Sequence, residues 1–97
     1  MDKRSLLEQE LNLQNLGNLS NTHLGRIHQD LHAKLGERHL WLKRIAPDIR
    51  DAKMHLVSDP PLHILEKRQR QWRKDMKALI QMIDFVEAEM DRRLNPN

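Results

Sequence analysis

The sequence predicts an all-α fold: an elongated antiparallel helical hairpin with a long C-terminal helix and a short N-terminal helical arm. Three observations lead there. Leu65, Trp72, Met76, Leu79, Ile83, Val86 and Met90 recur in steps of seven, four, three, four, three and four, with Gln69 at the skipped position. That is heptad spacing. A second apolar series, Leu24, Ile27, Leu31, Leu35, Leu42 and Ile45, is spaced by three, four, four, seven and three. Between the two lies Ser58-Asp59-Pro60-Pro61, and consecutive prolines force an extended connection.

The elements follow in order along one domain, since 97 residues are too few for two independent cores. Residues 1–17 form the arm. Ser5 and Glu8 make a capping box before Leu6, Leu7, Leu11, Leu13 and Leu16, and Gly17 supplies a stop. Asn18 to Thr22 is polar, with Ser20 as the N-cap of the next helix. That helix runs from about 21 to 45. Arg38 and His39 occupy its missing apolar turn, and Gly36 softens it. Ala46-Pro47-Asp48 is expected to end or kink it, because proline lacks the N–H donor. Ile49 to Val57 continues at an angle, so residues 20–57 read as one kinked helix, 58–61 as the turn and 62–94 as the long helix. The last is about 50 Å long at about 1.5 Å per residue.

Hydrophobic residues are 38% of the chain and only Trp41, Trp72 and Phe85 are aromatic, which favours helices sharing a Leu/Ile/Met seam over a sheet. The net charge is only +3 while the pI is about 9.6, so the basicity is local. Without cysteine there is neither a disulfide framework nor a thiolate metal site, which suits a reducing compartment. The apolar runs are far shorter than the roughly 20 residues that span a bilayer. The opening residues lack the apolar core of a signal peptide. A cytoplasmic protein is the expectation.

The most specific local feature is a basic stripe. Lys67, Arg68, Arg70, Arg73, Lys74 and Lys77 stand against one acid, Asp75. With Trp72 at d, Lys67 and Lys74 fall at f and Arg70 and Lys77 at b, opposite the seam, while Arg68 and Arg73 flank it at g and e. Such a stripe suits an acidic protein surface or phosphates. The plainer reading is a solvated face kept soluble by charge, and direct nucleic-acid binding is disfavoured by the scarcity of stacking aromatics. Further on, Asp84, Glu87, Glu89 and Asp91 reverse the sign, so two copies could pair basic half against acidic half.

His28 and His32 share a helix face one turn apart, with His39 two turns beyond. Zinc needs a third converging ligand, and the nearby acids Asp30 and Glu37 point elsewhere on the helix. No metal site or cofactor is therefore expected. As titratable groups the histidines could make association pH-sensitive. Catalysis finds no support either: there is no cysteine, no glycine-rich phosphate loop, and no nucleophile–base set on a rigid turn.

Trp72 lies in register with the seam and reads as a core or interface anchor. Leu40-Trp41-Leu42 cannot all be buried by one neighbour, so Trp41 is either an exposed hot spot for a partner or packs on the N-terminal arm. The Asp59-Pro60-Pro61 turn is a rigid connector, and one whose proline bonds could exchange slowly enough to engage a prolyl isomerase at Pro60 and Pro61.

The chain's size, its opening Met1-Asp2-Lys3-Arg4-Ser5-Leu6-Leu7-Glu8-Gln9-Glu10-Leu11, the Asp59-Pro60-Pro61 break and the Lys67-Arg68-Gln69-Arg70-Gln71-Trp72-Arg73-Lys74 stretch together resemble the anti-RecBCD (Abc-type) proteins of lambdoid phages. The resemblance covers all 97 residues and rests on no short diagnostic motif. It implies a modulator in the host cytoplasm without chemistry of its own. Such a protein binds the host RecBCD helicase–nuclease, with the RecC subunit favoured, so that linear phage DNA survives and recombines. Arg68, Arg70, Trp72, Arg73 and Lys74 are the expected contact residues, with Trp41 second. Charge and register select them; no family motif does. Two rivals stay open: a small helical DNA-binding protein and a self-associating coiled coil.

Overall fold

The computed structural model describes residues 13–55 and 58–95. It is an all-α hairpin in which two long helices, α1 (Asn21–Met54) and α2 (Leu62–Leu94), pack antiparallel, with a 3₁₀ helix, Leu13–Asn18, laid against α2. The molecule measures 60 × 27 × 18 Å. The Ser5/Glu8 capping box and most of the expected arm lie outside the described residues, as do Leu56 and Val57.

Each helix end has a local cause. Ser20 sits in extended conformation at the start of α1, and its Oγ accepts from the His23 N–H at 3.1 Å, satisfying one of the donors a helix start leaves open. At the other end His55 leaves the helix, and its ring Nδ1–H donates to the Asp51 carbonyl at 2.8 Å, which satisfies a last-turn acceptor. Pro61 occupies the N-cap of α2 without a side-chain bond, and its carbonyl accepts from the Ile64 and Leu65 N–H groups. Arg92 and Arg93 in the last turn complement the partial negative charge of that helix end. In the turn, Ser58 Oγ donates to the Pro60 carbonyl at 3.0 Å, and the Asp59–Pro60 peptide is cis.

Of the two outcomes expected at Ala46-Pro47-Asp48, an end or a kink, the helix does not end there: it runs on through Gly36 and Pro47 as far as Met54. The reason is burial on both sides of the proline. Ile45, Ile49 and Ala52 are buried against α2, while Pro47 itself is exposed. The ring therefore removes one hydrogen bond to the Lys43 carbonyl on a face where water can replace it. The described end of the arm also differs from an α-helix. It is a 3₁₀ turn that passes Gly17 and buries Leu16 against the hairpin.

Among the described residues the buried apolar side chains form two clusters. Leu16, Leu24, Leu31, Leu79, Met82, Ile83 and Val86 make the core at the open end, away from the proline turn. Ile45, Ile49, Ala52 and Leu65 make a smaller one at the loop end, with Leu62 and Trp72 packed on its edge. The heptad series of both helices supply most of these positions. Met82 lies outside the series and is nevertheless fully buried, which widens the stripe as expected when a helix packs over a 3₁₀ turn as well as a partner helix. The turn of α1 that lacks an apolar residue separates the clusters. There Arg38 Nε donates to Asp75 Oδ2 at 3.0 Å, with both side chains about 15% exposed. Gln71 Nε2 donates to the other carboxylate oxygen at 2.9 Å, and Arg38 Nη1 donates to Glu37 Oε1.

Candidate partner-binding surface

Antiparallel packing brings Trp41 of α1 opposite Trp72 of α2. Their ring centroids are 5.3 Å apart with planes tilted by 54°, within the range in which aromatic pairs attract beyond simple area burial. The Arg38 guanidinium lies 4.4 Å from the Trp41 ring centroid while its Nε holds Asp75. One arginine thus links the carboxylate to the indole pair, a cation–π contact on one side and an ion pair on the other.

Trp41 is half-buried and rests on Trp72, a contact that neither sequence alternative included. Trp72, expected as a core or interface anchor, is half-buried and packs on the edge of the loop-end cluster. Two facing indoles are too large to sink together between helices whose axes lie about 8–10 Å apart, so both remain partly open to solvent. Of the Leu40-Trp41-Leu42 run, Leu40 is exposed and the other two are half-buried.

Beside the indoles the helices part over a shallow cavity of about 270 Å³. It is lined by Trp41, Arg44, Ile45, Leu65, Arg68 and Trp72, and also by Asp48 and Pro60. The structure therefore gathers Trp41, Trp72, Arg68 and Pro60, four of the residues singled out in the sequence, around one apolar-floored groove with arginines contributed by both helices. Arg70, Arg73 and Lys74 are exposed but do not line it. Lys67, Arg70, Lys74 and Lys77 are all solvent-exposed positions opposite the seam. Pro61 is exposed beside the groove's proline. The seam itself is covered by α1 of the same chain, so two copies pairing through it would have to displace that helix.

Arg44 belongs to the groove and was not foreseen. So too at the open end, where His28 Nε2–H donates to Glu87 Oε2 at 3.0 Å and His32 Nε2 lies 4.0 Å from the same oxygen. The sequence places no converging third donor beside the histidines on their own helix; the structure brings the Glu87 carboxylate across from α2. Folding the chain back about the proline turn and reading off opposite positions would have found both.

No family model matches the chain, and no curated protein or solved structure is similar enough to count as a match.

Proposed function

We propose that this chain is a phage-encoded modulator that binds the host RecBCD helicase–nuclease, through its RecC subunit, and so protects linear phage DNA and promotes recombination. The observation that carries the reading is the groove at Trp41, Trp72, Arg44 and Arg68. Tryptophan and arginine are the residues that most often dominate protein interfaces, and here two half-buried tryptophans and two exposed arginines share one spot. The exposed row Lys67, Arg70, Lys74 and Lys77 extends that surface and suits an acidic partner face. A host prolyl isomerase docks, on the same reading, at Pro60 and Pro61. The sequence resemblance to anti-RecBCD proteins supplies the identity of the partner; the groove supplies only its chemistry.

A second reading is favoured by the same basic row, which could follow a phosphate backbone. The two are separated by mixing the purified chain with purified RecBCD and, separately, with plain duplex DNA over a range of salt. A modulator forms a stoichiometric complex with the enzyme. Trp72→Ala, or Arg70→Glu with Lys74→Glu, abolishes that complex while the helical circular dichroism stays unchanged. Absence of the complex, with duplex binding that falls steeply in log–log fashion as salt rises, would establish the DNA-binding protein instead.

A further inference from the structure

We propose that His28, His32 and Glu87 form a binding site for a divalent transition-metal ion, with Zn2+ as the ion its donors suit best. The two imidazoles come from successive turns of α1 and the carboxylate from α2. Each offers one ligand atom, and the three atoms all lie within 4.8 Å of one another. The nearest pair, His28 Nε2 and Glu87 Oε2, is 3.0 Å apart, and His32 Nε2 is 4.0 Å from that oxygen. In a tetrahedral zinc site with bonds of about 2.0–2.1 Å, neighbouring donors sit roughly 3.3 Å apart. Small side-chain rotations thus bring these donors to a common centre. The ion takes the place of the proton that His28 Nε2 now shares with Glu87.

The frame is rigid where it needs to be. Leu24 lies one turn before His28 and Leu31 between the two histidines, Ile83 and Val86 lead up to Glu87, and all four are buried in the open-end core. The rings of His28 and His32 already meet edge to face, with centroids 4.5 Å apart and planes at 70°. Two histidines one helical turn apart form a chelating pair that recurs in zinc enzymes. On the solvent side the site is open, with the side chains of His32 and Glu87 50% and 49% exposed, so water completes the coordination. Imidazole nitrogen with a single carboxylate favours Zn2+ and its first-row neighbours over Mg2+ or Ca2+, which take oxygen donors. A bound ion would join α1 to α2 directly, at a distance from the proposed partner groove.

The test is calorimetric titration of the full chain with Zn2+ in a non-chelating buffer, backed by the visible spectrum of Co2+ bound in its place. One ion binds per chain, raises the melting temperature, and gives Co2+ a tetrahedral absorption. His32→Ala and Glu87→Gln each weaken binding by roughly 10- to 100-fold or more, since even outer-shell losses at metal sites have effects of that size. His63→Ala, near the opposite end, binds as the parent does. Nuclear magnetic resonance of the unaltered chain gives a readout that does not depend on a variant folding: Zn2+ shifts the imidazole signals of His28 and His32 and leaves that of His63 in place. Failure to saturate at one ion per chain, undiminished affinity in both site variants, or shifts centred on other histidines would each overturn the site.

Discussion

The two ends of the hairpin are drawn from the same heptad seam, yet they are packed to different degrees. At the open end three elements meet over seven buried apolar residues, and Leu24, Leu79, Met82 and Val86 are sealed from solvent. Arg93 binds the end together by donating to Glu89 Oε2, Asn21 Oδ1 and the Leu16 carbonyl. At the loop end two helices enclose four buried residues, and the largest side chains there, Trp41 and Trp72, stay half-open over a groove. Arg38 and Asp75 stand between them. The difference teaches that one seam can seal its apolar side chains at one end of a small helical protein and leave large ones half-open at the other. One end carries the packing, and the other keeps bulky aromatic surface available.

If that division is right, equal truncations should have unequal effects. Leu79→Ala is expected to lower stability by about 3–5 kcal/mol and Leu65→Ala by about 2–3 kcal/mol, both read from denaturant melts. The loop-end side chain borders a groove into which neighbours and water can relax. Equal losses would erase the distinction between the two ends.

The boundary can be tested next. Asp75→Ala strands the largely covered Arg38 guanidinium and should cost about 1.5–3 kcal/mol. Replacing both partners, Arg38→Leu with Asp75→Leu, merges the two clusters and should return stability to the parent level or above, as replacing a covered ion pair by apolar residues often does. A double variant weaker than either single one would show that the pair binds the ends together.

A smaller effect comes from the start of α1. Ser20→Ala removes the acceptor for the His23 N–H, with an expected loss of about 1 kcal/mol by thermal melting. The smallest is a pH effect at the open end. Hydrogen bonds from Arg92 and then Arg93 hold the Glu89 carboxyl below its ordinary value of 4.5. A lowered folded-state pKa means that the carboxylate's contribution is present above the ordinary value and disappears as pH falls through the lowered one. The melting difference between the parent and Glu89→Gln should accordingly close as the solution is acidified below about pH 4. A difference that persists in strong acid would assign Glu89 a role other than its charge.

Much of this architecture could be read from the chain alone, because its signals are local. Three-four spacing, a serine before the first apolar turn and a double proline need no tertiary information, and they lead to two helices folded back on each other. What escaped was everything that depends on which residues face one another across the hairpin. Whether Pro47 ends the helix or is carried through it is not legible locally, because the burial of Ile45 and Ile49 on either side of it is a tertiary fact. Trp41 and Trp72 are 31 positions apart, and only antiparallel pairing of the helices brings their rings together. Glu87 stands in an acidic run, and nothing local ties it to His28, 59 positions earlier.

The elongated outline has a consequence for how this protein behaves in solution. Its radius of gyration is 17.5 Å, against about 13 Å for a compact domain of this length. A rod with a 60 Å long axis and an 18 Å short one drags more solvent than a sphere of equal mass. A single copy will leave a gel-filtration column early, where a globular dimer would be sought, and its diffusion will be slow for 11.6 kDa. Molar mass from light scattering or sedimentation equilibrium does not depend on shape, and it is that measurement, not elution volume, that distinguishes one rod from two.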